Sequence, residues 1–139
     1  MENFKIELFE NEHQQSFPVY RALTKPECQK LLDSVSTKYG INPSNFAAGL
    51  ASIQSFYGES NATEEFSLIN TFNNLSIKYM SDIFINWYNF ERVDVFRADT
   101  LDKHFGDIWF PISDDIDLFD KSFGWILSIR HDGCITFIK

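Results

Sequence analysis

The segment after Thr24 places apolar residues at the three- or four-residue spacing of a helix face. Its apolar positions are Cys28, Leu31, Leu32, Val35 and Tyr39. Thr24 and Glu27 form the pattern of a capping box, and Pro26 falls in the first turn, where its missing N–H is not needed. Gly40 is a residue that can end a helix. These features predict a helix over residues 25–39.

Two more helices are predicted downstream of this one. Asn42 and Pro43 repeat the start pattern, and apolar residues at helical spacing continue as far as Gly58. After the polar loop 58–63, the third apolar row includes Phe66, Ile69 and Phe72. A short helical turn is predicted near Leu101.

The first twenty residues fit two interpretations. Phe4, Ile6 and Leu8 alternate with polar residues, as in a short strand. Glu7 and the polar residues 10–14 could equally open a helix. The pattern does not choose between the two.

After Ser81 the pattern changes to short runs rich in β-branched and aromatic residues, which predict strands. These runs cover residues 83–88, 92–96, 116–119, 125–131 and 134–138. Asp132 and Gly133 separate the last two runs and predict a two-residue type I′ hairpin. Because no linker or repeat interrupts the chain, residues 1–139 are predicted to form one α+β domain. In it, N-terminal helices pack on a C-terminal antiparallel β meander.

Composition limits the function classes. The chain has 139 residues, 20 Asp and Glu against 12 Lys and Arg, and two cysteines, Cys28 and Cys134. An acidic protein repels nucleic acid and anionic membranes but attracts basic partners. No apolar stretch approaches membrane-spanning length, and the first residues show no basic region followed by an apolar core, as a secretion signal would. We therefore expect a cytoplasmic protein that binds another protein and neither a membrane nor nucleic acid.

The negative charge is concentrated late in the chain. Residues 99–120 contain seven aspartates and a single basic residue, Lys103, together with the aromatic residue Trp109. Aromatic anchors among carboxylates suit an interface with a basic protein. The predicted partner-binding residues are Asp107, Trp109, Asp114, Asp115, Asp117 and Asp120. Two other interpretations stay open: Trp109 belongs to the core, and the acidic face serves only solubility.

Motifs for catalysis, metal or cofactor binding are weak. If Asp115 is the first position of an EF-hand loop, the motif fails at three places. It needs an oxygen ligand, a glycine and a glutamate where the chain has Phe119, Asp120 and Ile126. In a two-residue hairpin, His131 and Cys134 would face each other, as a Cys–His nucleophile or half a zinc site requires. A small metal-binding or hydrolytic enzyme that uses this pair and nearby carboxylates is the alternative function. We expect a protein that is not an enzyme and has no cofactor.

Three segments of the C-terminal third resemble small bacterial immunity proteins, which are encoded beside polymorphic or contact-dependent inhibition toxins. They are residues 109–116, 125–127 and 131–133, with the sequences WFPISDDI, WIL and HDG. The resemblance implies a cytoplasmic, non-catalytic protein that binds and neutralises one cognate toxin domain. A basic nuclease toxin would complement the acidity of the chain.

Overall fold

Six helices and seven strands make up the computed structural model, which describes residues 1–139. The helices are α1 (Asn3–His13), α2 (Lys25–Tyr39), α3 (Phe46–Ile53), α4 (Leu68–Asn74), α5 (Ala98–Lys103) and α6 (Phe105–Ile108), and a 3-10 turn covers Pro43–Asn45. The strands are β1 (Arg21–Ala22), β2 (Ser55–Tyr57), β3 (Asp82–Tyr88), β4 (Arg92–Arg97), β5 (Ile116–Phe119), β6 (Ile126–Ile129) and β7 (Ile135–Ile138). None of the helices combines the length and apolar character needed to cross a membrane.

All seven strands join one antiparallel sheet in the order β1-β4-β3-β5-β6-β7-β2. The five strands of the C-terminal half form its centre, and β1 and β2 of the N-terminal half close its two edges. The predicted α+β class, with helices first and strands later, is confirmed. The edge strands were not predicted because two or three residues are too few to show a period.

The two faces of the sheet carry separate hydrophobic cores, because successive side chains of a strand point to opposite faces. One core joins Ile85, Leu118 and Leu127 to α4, α5 and α6. The other joins Phe84 and Phe119 to α2 and α3. The sheet therefore forms the middle of three layers, and its central strands are covered on both faces.

Local sequence explains α2 best. The Thr24 hydroxyl accepts a hydrogen bond from the Glu27 backbone N–H, and the Glu27 carboxylate accepts one from the Thr24 N–H. This reciprocal capping box satisfies two N–H groups that the helix itself leaves free. Gly40 ends the helix with a φ of 66°. The prediction of a helix over residues 25–39 is confirmed at both ends.

The other N-terminal predictions need correction. The first residues form α1, so the helical interpretation was the right one. The helix after Asn42 stops at Ile53 instead of reaching Gly58, because residues 55–57 pair with β7. The third helix begins only at Leu68, where the Ser67 hydroxyl accepts a hydrogen bond from the Asn70 N–H.

The last hairpin lies at the predicted place but with a different turn. Ile129 pairs with Ile135, and the Arg130 N–H donates to the Cys134 carbonyl, so the loop between this last pair, Arg130 and Cys134, has three residues. Its third residue, Gly133, has a φ of 86°, whereas a type I′ turn needs positive φ at both central positions. The two-residue hairpin prediction is therefore wrong, and Arg130 takes the place opposite Cys134.

Candidate functional site

The acidic segment, residues 99–120, has most of its predicted partner-binding residues inside the molecule. Four of its six predicted partner-binding residues have less than a tenth of their surface exposed: Trp109, Asp114, Asp117 and Asp120. Asp107 is partly exposed and Asp115 is exposed. The expectation that these six side chains form one exposed surface is wrong, because distant parts of the chain supply hydrogen-bond donors to the buried carboxylates.

Asp114 anchors the first helix. Its carboxylate forms an ion pair with Lys5 of α1, which is 1 % exposed, and accepts a hydrogen bond of 2.8 Å from the Phe110 N–H. The Lys5 ammonium also donates to the Ile108 carbonyl at 3.0 Å and lies 4.4 Å from the centre of the Trp87 ring. A buried charge needs such a set of partners. Asp114 is therefore committed to holding α1 in place.

Asp117 belongs to a polar group on the face of the sheet that α3 covers. Its carboxylate accepts hydrogen bonds from Ser128, Asn86 and Arg130. The Arg130 guanidinium is 3.2 Å away and about one-third exposed, at the mouth of a cleft of about 290 Å³. Asn86 in turn accepts from the Phe90 N–H. The carboxylate neutralises Arg130 and orders these strands, so it is not free to pair with a partner's cation.

Asp120 is fully buried, at 0 % exposure. Its carboxylate accepts hydrogen bonds from the Met80 N–H, the Ser122 N–H and hydroxyl, and the Trp125 indole N–H. Burial and the charge of Asp120 raise the pKa of the nearby Tyr39 phenol. These donors satisfy the buried carboxylate oxygens, and no lysine or arginine forms an ion pair with them. Asp120 is thus a structural hydrogen-bond acceptor.

Trp109 is a core residue and not an interface anchor. It is 2 % exposed, and its ring stacks on Phe105 with 5.7 Å between the centroids. Its indole N–H donates to the Asp114 carbonyl at 3.0 Å. Of the interpretations left open, the one that places Trp109 in the core is correct. Three of the predicted aspartates, Asp114, Asp117 and Asp120, are buried as well.

The two remaining predicted residues pair with histidines. Asp115 accepts hydrogen bonds from the backbone N–H of His131 at 2.8 Å and contacts the His131 ring at 3.0 Å. Partial burial acts to raise the pKa of Asp115, but these hydrogen bonds and the charge of Arg130 outweigh it and hold the pKa below its ordinary value. Asp107 contacts the rings of His13 and His104.

The structure does not bring His131 and Cys134, the residues of the alternative site at the hairpin, to face each other. Because Arg130 stands opposite Cys134, the imidazole of His131 does not face the thiol but contacts Asp115. The Cys134 N–H donates to the Asp132 carboxylate at 2.9 Å, within the turn. The prediction of a facing His131–Cys134 pair is wrong for the same reason as the two-residue turn.

A different surface combines an exposed aromatic side chain with carboxylates. Phe56 of the edge strand β2 is 69 % exposed. Together with Glu59, Glu64 and Asp132 it lines a depression of about 340 Å³ to which no lysine or arginine contributes. We call these four residues the acidic edge. Sequence reasoning missed it because its members come from a strand, a loop and a hairpin turn.

The backbone beside the acidic edge is fixed by contacts between its loop and the hairpin. The Ala62 N–H donates to the Gly133 carbonyl at 3.0 Å, and the Asn61 side-chain amide donates to the Asp132 carbonyl at 3.3 Å. The side-chain Oδ1 atom of Asn61 accepts a hydrogen bond from the Thr63 N–H at 2.9 Å, which closes a turn. These contacts thus hold the backbone next to Glu64 and Asp132.

Comparison with known proteins gives no relative: no family model, no curated protein and no solved structure matches the chain.

Proposed function

We propose that this protein is an immunity protein that binds and neutralises a cognate toxin domain, and that it does so through the acidic edge. The observation that carries the proposal is the exposed ring of Phe56 beside three carboxylates with no basic residue among them. The sequence predicted this combination of an aromatic anchor and acidic groups, but at residues 107–120. The resemblance of the C-terminal third to immunity proteins supports the same function.

Phe56 supplies the apolar part of the proposed interface. Aromatic residues that become desolvated at the centre of an interface contribute most of the binding energy. Phe56 lies in β2, which ends the sheet, so one side of this strand has no neighbouring strand. A partner can dock on the ring and also pair with the free strand edge.

The carboxylates determine the kind of partner. Four of the 20 acidic residues and one of the 12 basic residues are buried, so the accessible surface stays acidic. Such a surface accelerates encounter with a basic protein and repels nucleic acid. A basic nuclease domain is therefore the proposed target, and binding would cover its nucleic-acid surface. A toxin that acts in the cytoplasm would place this protein there.

The first experiment measures binding to the C-terminal toxin domain encoded next to this protein. The variant Glu59→Lys, Glu64→Lys, Asp132→Asn removes the acidic edge and keeps the side-chain acceptor of the turn. The control variant Asp33→Lys, Glu91→Lys, Asp82→Asn makes the same charge change at exposed carboxylates outside the depression. In the first variant only, we expect the association rate to fall by about tenfold or more and to depend less on salt.

Three outcomes would contradict the proposal at different levels. Equal slowing in both variants would mean that net charge, and not the acidic edge, attracts the partner. Unchanged binding in both would place the interface elsewhere. Failure of the unaltered protein to bind or inhibit the toxin domain would remove the immunity function itself.

The second experiment tests the anchor. Phe56→Ala should weaken binding by about 2 kcal/mol, or about thirtyfold, if the ring is desolvated in the complex. Because the ring is already mostly exposed in the free protein, the midpoint of urea unfolding should change little. Unchanged affinity would exclude Phe56 from the interface.

A further inference from the structure

A group of three metal-binding side chains lies where α1 ends against α6, and His104 lies beside it. One ligand atom each from Glu12, His13 and Asp107 lies within 4.8 Å of the other two. His104, between α5 and α6, adds a second imidazole, with its Nδ1 atom 3.7 Å from the Asp107 carboxylate. Neither the proposed partner surface nor the hairpin involves Glu12, His13 or His104.

The distances already approach those of a coordinated ion. Zinc binds imidazole nitrogen and carboxylate oxygen at about 2.0–2.2 Å, so ligand atoms around a tetrahedral ion are about 3.4 Å apart. The Nε2 atom of His13 lies 3.2 Å from one Asp107 oxygen, and His104 approaches the other oxygen. Glu12 is exposed and His104 lies outside the group of mutually close ligand atoms, so both side chains would have to move towards an ion for it to bind all four.

A single aromatic ring positions both imidazoles. The buried Phe9 ring lies 4.3 Å from the His13 ring and 5.3 Å from the His104 ring, measured between centroids. The side chain of His104 is only 17 % exposed, which limits its rotamers further. Two of the four ligands are thus held in place before any ion binds, which lowers the entropy cost of binding.

The charges at this place favour a cation. The Glu12 and Asp107 carboxylates converge, yet the only ion-pair partners of Asp107 are the two histidine rings, and no lysine or arginine pairs with Glu12. Two carboxylates so close repel each other unless positive charge lies between them. A divalent ion between Glu12 and Asp107 would supply that charge.

We propose that His13, His104, Asp107 and Glu12 bind one zinc-class divalent ion. Two imidazole nitrogens and two carboxylate oxygens suit Zn²⁺, whereas Ca²⁺ and Mg²⁺ prefer oxygen ligands alone. The ion clamps the end of α1 to α6, just as the Lys5–Asp114 ion pair fastens the beginning of α1. This inference does not rest on the proposed function, and its test involves no partner.

The test is calorimetric titration of the chelator-treated full chain with Zn²⁺, together with Co²⁺ absorption as a report of tetrahedral geometry. We expect one ion per chain and a rise in the thermal unfolding midpoint on addition of Zn²⁺. His13→Ala, His104→Gln and Asp107→Asn should each weaken Zn²⁺ binding by at least about tenfold. His13 is exposed, so its variant should keep the fold.

The matched control is His131→Ala, which removes an exposed histidine that also contacts a carboxylate. It should bind Zn²⁺ like the unaltered chain. Absence of saturable binding, or an equal loss of affinity in His131→Ala and His13→Ala, would overturn the proposal. So would a His13→Ala variant that binds Zn²⁺ with unchanged affinity.

Discussion

Carboxylates serve opposite purposes in two regions of this molecule. In the acidic segment, Asp114 and Asp120 are buried and accept hydrogen bonds from distant residues. In the acidic edge, Glu59 and Glu64 are exposed beside an aromatic ring. The first region has the denser run of aspartates, but the second has the accessible charge. Density of acidic residues along the chain therefore does not locate an acidic surface.

The comparison also changes which substitutions are informative. Charge reversal at Asp114 or Asp117 looks like a surface mutation from the sequence, but in the structure it would place a cation among buried donors. Loss of binding in such variants would reflect lost structure. We therefore expect substitutions in the buried segment to change stability and those in the acidic edge to change binding alone.

The largest effect is expected at Asp120. Asp120→Ala removes the acceptor of the buried Trp125 indole N–H and of three part-buried donors, which are the Met80 N–H and the Ser122 N–H and hydroxyl. Leaving such donors unpaired should lower the free energy of unfolding by about 3–5 kcal/mol, measured by urea titration. Glu64→Ala is the matched control in the acidic edge and should change it by less than about 0.5 kcal/mol. Similar losses in both variants would erase the distinction between the regions.

The next effect concerns the ion pair between Lys5 and Asp114. Lys5→Met keeps the long apolar stem of the side chain but leaves the Asp114 carboxylate buried without its cation. We expect a loss of about 3 kcal/mol in the free energy of unfolding. The double variant with Asp114→Asn should be less destabilised than the sum of the two single variants, because neither charge then remains unpaired. Additive losses would show that the pair is not coupled.

The hairpin turn, which contains Asp132 of the acidic edge, gives the third prediction. Gly133 has a φ of 86°, and a Cβ atom there would collide with the side chains of Asn61 and Thr63. Gly133→Ala should therefore cost about 2 kcal/mol and weaken partner binding as well, because Asp132 is in the same turn. Asn61→Ala in the Gly133→Ala background should recover part of the loss. Thermal unfolding of both variants checks this, and an unaffected Gly133→Ala variant would contradict it.

The sequence predicts elements whose determinants are local. The capping box of Thr24 and Glu27 and the stop at Gly40 define α2 within one stretch of chain, and β3 and β4 are recognisable from their own composition. The edge strand β2 depends on pairing with β7, about eighty residues away, and its three residues continue the apolar row of α3. A helix prediction therefore extended through it.

The candidate site was less predictable because burial of a carboxylate depends on remote donors. Nothing next to Asp117 in the chain reveals that Asn86 and Ser128 lie beside its oxygens. The hairpin turn also differed by one residue from the expected loop, and that shift alone separates His131 from Cys134. Three residues of β2 are too few to show that Phe56 is exposed, and other segments bring the carboxylates beside it.

The smallest expected effect lies between the two regions, at Asp115. This carboxylate belongs to the acidic segment but is exposed, and its contacts with His131 hold its pKa below the ordinary value. A carboxyl group with a lower pKa in the folded state stabilises the fold above its unfolded pKa of about 4. It loses that contribution as the pH falls through the folded pKa. Since the pair is exposed, the contribution is at most about 0.5 kcal/mol.

Asp115→Asn should therefore unfold like the unaltered chain below about pH 3 and be slightly less stable at pH 6. Urea titrations at both pH values measure the difference, with His131→Ala expected to reproduce part of it. A difference that grows towards low pH would contradict the lowered pKa and would place Asp115 with the buried carboxylates instead of the exposed ones.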